Sequence, residues 1–227
     1  MTQLPMNKIL TCCKDFVSTP ANHIYREKFA GVYVKDEIIF ASDVCNMIVW
    51  KTQGDNPAMF LPIAKESDYA DILQMSKEQN WEMPTWERYI PNVRDSLAVV
   101  YITEEKGFRS LFNYWKDVFT LQGKLIKGES NIGITIGLNP LGLFSYAGNS
   151  DGRDLRATLL DKEVTEEEEG VELDIQPKYL VNICKTLAQL NPYELKIMFM
   201  KNGLYIETEE QLVRWYCCRV RTNDERN

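Results

Sequence analysis

The stretch that decides the fold covers Val171–Arg219 and reads VELDIQPKYLVNICKTLAQLNPYELKIMFMKNGLYIETEEQLVRWYCCR. Its β-branched start predicts a strand over Val171–Ile175. Apolar residues at helical spacing then predict a helix over Pro177–Leu190, which opens on proline, a favourable first residue. A hairpin across Lys201-Asn202-Gly203 follows, and Val213–Arg219 is predicted as the last strand. The unit is therefore strand, helix, hairpin, strand.

The same order of elements occurs immediately upstream. Leu97–Ile102 reads as a strand, and Lys106–Thr120 has apolar residues at helical spacing. Asn139-Pro140 marks the turn of a hairpin, and Asp154–Leu160 is predicted as the strand after it. Two successive units of one design indicate an internal repeat.

A weaker copy occupies the start of the chain. Asn7–Ser18 has helical periodicity, and GVYVKDEIIFASD reads as a hairpin with its turn at Asp36-Glu37. Met47–Trp50 is the predicted third strand. A further helical stretch, Ser67–Gln79, has no hairpin after it, so that copy is shortened. The repeat predicts an α+β fold built from helix-on-antiparallel-sheet modules.

A proline-containing connector divides these modules into two groups. Trp81–Asn92 holds Pro84 and Pro91 and reads as extended chain. We therefore predict an N-terminal domain over residues 1–93, with its second module shortened, and a C-terminal domain over residues 94–227.

The helices of the two later copies also match on their polar faces. Residues spaced 0, 4 and 7 share one face of a helix, and both helices place a cation, an amide and a cation at that spacing. Lys106 adds a cation at the predicted start of the earlier helix. Cations in rows favour a polyanionic partner, although an ordinary solvated face is the alternative. The six residues of the two rows are Arg109, Asn113, Lys116, Lys178, Asn182 and Lys185.

The overall charge does not argue against such a partner. The 227 residues carry a net charge of −7, and Asp161–Asp174 alone holds eight acidic residues against Lys162. The remainder of the chain is therefore neutral, and the acidic stretch reads as a solvated loop. What decides nucleic-acid binding is where the basic residues cluster.

Composition and motifs exclude several classes of protein. The chain is 44% apolar and 26% charged, as expected for a globular protein, and no apolar run is long enough to span a membrane. There is no phosphate-binding loop and no nucleophile elbow. Four of the six cysteines form the adjacent pairs Cys12-Cys13 and Cys217-Cys218, and His23 is the one histidine, which argues against zinc. We expect a cytoplasmic protein without cofactor, metal or catalysis of its own.

Three stretches resemble the DNA sliding clamp family, and more narrowly the beta subunit of bacterial DNA polymerase III. MPTWERYIPN, at Met83–Asn92, is similar to the family connector F-P-D-Y-x-R-V-I-P. DIQPKYLVNICKTLAQL, at Asp174–Leu190, is similar to the helix start F-N-P-K-Y-L. GVYVKDEIIFASDVCNMIVW resembles the family hairpin and the strand after it. The family's T-D-G-H-R-L turn is altered here, its first domain is absent, and WYCCRVR stands where the family ends Y-V-V-M-P-M-R.

The resemblance implies a role for the cationic rows. Family members encircle duplex DNA with helices lining the hole, so both rows together with Lys106 would face phosphates without reading sequence. Four helical stretches per chain imply a homotrimeric ring. The acidic stretch would lie outside it.

The family also has a pocket that receives short peptides from polymerases and repair proteins. Its lining here is implied by motif, with domain packing as the alternative for the same residues. The implied residues are Ser42, Met47, Pro84, Arg88, Tyr89, Tyr216, Cys217 and Cys218.

Three functions therefore stay open at this point. The first is a clamp-like processivity or scaffold protein that holds DNA polymerase or other clamp-binding-motif proteins on double-stranded DNA. The second is an adaptor or decoy of the same fold that binds clamp-interacting peptides without encircling DNA. The third is an unrelated enzyme that uses Cys12 and Cys13, or Cys217 and Cys218, as reactive thiols.

Overall fold

The structure is a computed structural model that describes residues 4–18, 29–63, 78, 81–129, 133–161 and 170–220. The predicted helix over Ser67–Gln79 (apart from residue 78), His23 and most of the acidic stretch fall outside these residues. Three α-helices and ten strands occur within the described ranges. In chain order they are α1 (Met6–Lys14), β1 (Gly31–Ser42), β2 (Asn46–Pro62), β3 (Ser96–Thr103), α2 (Arg109–Leu125), β4 (Ile134–Asn139), β5 (Gly142–Gly148), β6 (Asp154–Asp161), β7 (Val171–Ile175), α3 (Pro177–Leu190), β8 (Glu194–Met200), β9 (Gly203–Thr208) and β10 (Val213–Cys218).

The chain divides into two compact units. Unit 1 consists of Met1–Ile90 with Glu207–Tyr216, and unit 2 of Pro91–Ile206 with Cys217–Asn227. The clamp-type domain boundary near Val93 stays a prediction.

In unit 1, β1 and β2 form a long antiparallel hairpin, with β10 next to β2. Its core is an aromatic and aliphatic cluster in which Tyr33 and Phe60 are in ring contact at 4.7 Å between centroids. Short 3-10 turns occur at Glu87–Tyr89 and Glu209–Gln211.

The predicted turn at Asp36-Glu37 is wrong, because β1 continues through it. Asp36 takes a positive φ of 52° and lies opposite a bulge in β2, so the chain does not reverse there. The ladder pairs Asp36 with Asn56 and Ile38 with Lys51, so β2 has three more residues than β1 between these pairs. The Asn56 side chain donates to the Asp36 carbonyl oxygen at 2.7 Å and closes the bulge. The true reversal lies after Ser42, and Met47–Trp50 is the first part of β2.

Unit 2 packs its two long helices against strands. The strand orders are β9-β8-β3 and β6-β5-β4-β7. Apolar side chains of both helices meet side chains of the strands in one core, which includes Phe112 and Trp115 of α2, Ile183 of α3, Ile136 of β4 and Ile197 of β8. Because one face of each helix is buried in the same core, the opposite faces of both helices point away from the strands.

The two helices lie side by side and antiparallel. Arg109, at the start of α2, contacts Ala188 near the end of α3, and Gly123, near the end of α2, lies against Pro177 at the start of α3.

The predicted bounds agree with the structure for α3 and shift for α2. α3 covers Pro177–Leu190, as predicted, because proline sets its start and Asn191 its end. α2 begins at Arg109, so the prediction that Lys106 belongs to this helix is wrong. Lys106 lies in the turn that precedes Gly107, whose φ of 74° stops a helix from starting earlier.

Candidate nucleic-acid and peptide sites

The outward face of α3 carries cations and amides without a carboxylate. Lys178 and Lys185 are exposed, and Asn182 is partly exposed. The sequence of this helix, PKYLVNICKTLAQL, contains neither aspartate nor glutamate. The row predicted from spacing therefore lies on the solvent side of the helix pair.

α2 presents a similar face with one carboxylate. Arg109 and Asn113 are exposed, while Lys116 keeps 32% of its side chain accessible. The Lys116 Nζ lies 3.4 Å from the Asp117 Oδ1, and Asp117 is itself 71% exposed. A pair this exposed contributes little to stability.

The helix layer is positive although the chain is acidic. α2 holds three cations, of which the third is Lys124, and α3 holds two, against the single carboxylate of Asp117. Neither helix has an acidic residue in its first turn, where carboxylates usually compensate the helix dipole. The outward face of the helix pair, which we call the helix face, is therefore a candidate site for an extended polyanion.

Two more of the cations, besides Lys116, have local partners. The Arg109 Nε donates to the Ala188 carbonyl oxygen at 3.2 Å, which places a cation at the carboxyl end of α3, a helix without a basic residue in its last turn. The Lys178 Nζ lies 4.5 Å from the ring centre of Tyr179. Arg109 thus joins the helices as well as contributing charge.

A buried thiol lies beneath the helix face. Burial raises the pKa of Cys184 far above its ordinary value, and the nearby Lys116 ammonium opposes this only partly. Burial likewise raises the pKa of the Cys13 thiol in unit 1, and the neighbouring Cys12 adds to the rise. Both sulfurs are therefore held as protonated thiols, which are poor nucleophiles.

The turn that carries two of the predicted peptide-binding residues is held by its own hydrogen bonds. The Ser42 Oγ accepts from the Val44 N–H at 3.0 Å, and the Asp43 Oδ1 accepts from the Asn46 N–H at 2.9 Å. Val44 takes a positive φ of 82° in this turn. Ser42 is only 5% exposed, and its hydroxyl stabilises the turn.

Met47 lies inside the apolar core of unit 1. It is 3% exposed and belongs to a cluster with Trp86 of the connector, against which Tyr216 packs. The Arg214 guanidinium lies 5.5 Å from the Trp86 ring centre, and its Nε is 3.7 Å from the Glu207 carboxylate. The structure therefore brings Met47 and Tyr216 together around a buried tryptophan of the connector.

The other predicted pocket residues are more dispersed. Pro84 is partly exposed and Arg88 is exposed in the connector, while Cys218 is partly exposed and Cys217 is fully buried. Tyr89 lies in the 3-10 turn, and its side chain falls outside the described part of the chain.

Two partnerships in unit 1 were not predicted from the sequence. The first is the contact of Trp86 of the connector with the cluster that contains Met47. In the second, the indole Nε1 of buried Trp215 donates to the Asn46 Oδ1 at 2.5 Å. A tryptophan between polar residues of the connector indicates that Trp86 is buried in a core. No local signal links residues 169 positions apart for the second.

The part of the chain that the structure describes holds neither a metal-ligand cluster nor a helix suited to span a membrane. Within the described ranges, no three His, Cys, Asp or Glu side chains come close enough to hold a metal ion. None of the helices seen there is both long and apolar enough to cross a bilayer.

Comparison with solved structures identifies the fold. The chain is similar to the Caulobacter crescentus beta sliding clamp, with 12% identity and a TM-score of 0.65 over 95% of this chain. It is similar to the Bacillus subtilis DNA polymerase sliding clamp, with 15% identity and a TM-score of 0.66 over 97% of this chain and 67% of that one. It is also similar to the DNA polymerase III beta chain of Streptococcus pneumoniae, with 12% identity and a TM-score of 0.63 over 98% of this chain and 67% of that one.

These likenesses establish the fold at low sequence identity. No protein-family model and no curated protein sequence matches the chain. The chain spans 64% of the length of the Caulobacter clamp. The predicted α+β clamp fold is confirmed, and the chain is sliding-clamp-like in structure.

Proposed function

We propose that this clamp-fold chain is a processivity or scaffold protein that binds duplex DNA without sequence specificity and tethers polymerase-type partners. The observation that carries the proposal is the helix face, whose two helices hold five cations and one carboxylate in a chain of net charge −7. The clamp fold of the chain supports the same function.

The charges of the helix face suit a contact that slides. Lys178 and Lys185 are exposed ends of flexible side chains, and such cations bind phosphates through counterion release, without reference to base sequence. Each phosphate contact made in water is weak, so contacts exchange as the protein moves along the duplex. In this proposal the protein acts in the cytoplasm and has no catalysis of its own.

A salt titration with matched variants tests the DNA contact. Lys178→Gln with Lys185→Gln removes two charges from the helix face. Lys35→Gln with Lys201→Gln removes two charges from exposed positions on β1 and in the β8–β9 turn. We expect the first variant to lower the slope of log affinity against log salt by about 2, since each phosphate contributes about 0.9, and the second to leave it unchanged.

Retention on circular and linear DNA tests encirclement. A closed ring of three copies is retained on circular duplex and lost from linear duplex, and native mass gives the number of copies. Equal retention on both forms contradicts encirclement. A wild-type slope near zero, or equal slopes for the two variants, contradicts DNA binding through the helix face.

Peptide tethering is the second half of the proposal. It places clamp-binding peptides near Pro84, Arg88 and Tyr216, with Met47 beneath them in the apolar cluster. A monomer that binds such peptides but not DNA is the adaptor or decoy. Arg88→Ala is expected to weaken peptide binding and to leave the DNA salt slope unchanged.

A further inference from the structure

One asparagine bonds to both helices of the helix face at the end where Arg109 also joins them. Asn191 directly follows α3 and takes the left-handed conformation, with φ 52° and ψ 58°. Its N–H donates to the Leu187 carbonyl oxygen at 2.8 Å and thereby closes the last turn of α3. A residue in this conformation is a common end for a helix.

The side chain of the same residue closes the start of α2. Its Oδ1 accepts from the Arg109 N–H at 2.7 Å, and its Nδ2 donates to the Lys106 carbonyl oxygen at 3.4 Å. Phe108, the residue before α2, makes no side-chain cap of its own. Asn191 therefore satisfies unpaired backbone groups at the end of one helix and at the start of the other.

Neighbouring contacts tighten this joint. The Phe108 N–H donates to the Pro192 carbonyl oxygen at 3.1 Å, and the Glu104 N–H donates to that of Tyr193 at 2.9 Å. Gly107 has a positive φ, and a Cβ built there would lie 2.6 Å from the Asn191 side-chain amide. Only glycine permits so close an approach.

The opposite ends of the helices are also in close contact. A Cβ built at Gly123 of α2 would lie 3.0 Å from the Pro177 Cβ of α3. With contacts at both ends, α2 and α3 are fixed in how far they slide past each other.

We infer that Asn191 is a positioning residue that sets the register of α2 against α3, and with it the offset between the two rows of cations. The inference rests on the proposed function for its DNA-binding consequence. The backbone amide that Asn191 binds belongs to Arg109, the first cation of the α2 row, so losing this bond loosens that end of the row, where the Arg109–Ala188 and Phe108–Pro192 hydrogen bonds remain. Phosphates on a duplex are regularly spaced, so rows that shift freely engage fewer of them together.

Asn191→Gly is the direct test. Glycine keeps the left-handed conformation and the end of α3, but it loses both side-chain hydrogen bonds. We expect the Arg109 amide to exchange with deuterium about tenfold faster, as for a lost helix cap. The DNA salt slope should fall by about 1 although every cation is present. If this variant does not fold, Asn191→Asp, which keeps the acceptor, should retain slow exchange at Arg109.

Asn139→Ala is the matched control. The Asn139 Oδ1 accepts from the Leu141 N–H at 2.9 Å in the β4–β5 turn, a bond of the same kind away from the helices. It should change neither Arg109 exchange nor the salt slope.

The outcomes separate this inference from the proposed function. Unchanged exchange at Arg109 in the glycine variant overturns the inference. Faster exchange at Arg109 together with an unchanged DNA salt slope also overturns the inference, provided that the Lys178→Gln, Lys185→Gln variant shows a lower salt slope than the wild type. If that lysine variant binds DNA like the wild type, the proposed function fails instead, and a positioning role toward DNA fails with it.

Discussion

The helix face of unit 2 and the turn and connector of unit 1 were both predicted as binding surfaces, and they differ in what is left exposed. The lysines on α3 are in solvent, while Met47 and Ser42 are at most 5% exposed. A helix buries one face and leaves its polar row outside. A turn between paired strands uses its own polar groups for hydrogen bonds and its apolar residue for the core.

The difference teaches where charge and packing act. On the helix face, substitutions should change binding and leave stability almost intact. At the buried positions of the turn and connector, substitutions should change stability first, whereas at exposed Arg88 they should change peptide binding. The predictions below rank these effects by size.

Trp86→Ala should have the largest effect on stability. The side chain is 7% exposed in the unit 1 cluster and lies beside the Arg214 guanidinium. Its loss should cost about 3–5 kcal/mol of unfolding free energy, measured by urea denaturation with an unchanged m value. Thr85→Ala, at the exposed neighbour, should stay within about 0.5 kcal/mol. A cost below about 1 kcal/mol for Trp86→Ala would show that the connector is not part of the core.

Asn46→Ala should have the next largest effect. It leaves the buried Trp215 indole N–H without its acceptor, which should cost about 1–3 kcal/mol. Repeating the substitution in a Trp215→Phe background, where no indole N–H is present, should cost clearly less, and the difference measures the coupling. Equal costs in the two backgrounds would contradict a specific bond between these residues.

The buried thiols predict a smaller, pH-dependent effect in both units. Burial raises the pKa of Cys13 and of Cys184 above the ordinary 9.0, so the folded state holds these protons more tightly than the unfolded state. Their contribution is complete below pH 9 and is lost as the pH rises further. Unfolding free energy measured from pH 7 to 10 should fall above pH 9.

Cys184→Ala should flatten that alkaline fall, whereas Cys218→Ala, at a partly exposed position, serves as the control. Rapid alkylation of Cys184 in the folded protein at neutral pH would contradict its description as a buried, protonated thiol.

Lys178→Gln with Lys185→Gln should change stability least, by less than about 0.5 kcal/mol. Lys178 loses its contact with the Tyr179 ring, but a cation in the first turn of a helix also opposes the helix dipole. The two effects offset each other. A loss above about 1 kcal/mol would mean that the helix face is structural, and this would remove the contrast with unit 1.

The sequence was sufficient to predict an element where its apolar periodicity agrees with the residues that begin and end it. Pro177 and the apolar spacing up to Leu190 set the bounds of α3, and the outward rows follow from spacing alone. It was insufficient at Asp36-Glu37, two polar residues that read as a turn. The strand continues there because β2 bulges opposite it and the Asn56 side chain donates to the Asp36 carbonyl oxygen from across the ladder.

The site was predictable only in its local part. The cap that Asn191 gives to Arg109 joins residues 82 positions apart, so no local pattern indicates it. The burial of Met47 likewise depends on Trp86, which reaches it through the tertiary fold. Residue type and spacing predict which groups are available, and packing decides which of them stay available.

The bulge between β1 and β2 has a practical consequence. Gln53–Asp55 are exposed, Gly54 has a φ of 102°, and nothing lies within 4 Å of the position where its side chain would begin. An exposed bulge of this kind accepts inserted residues at low cost in stability. A short dye-binding tag placed after Gly54 would make individual molecules visible by fluorescence microscopy, so that the proposed residence on stretched DNA is tested and timed without altering the helices.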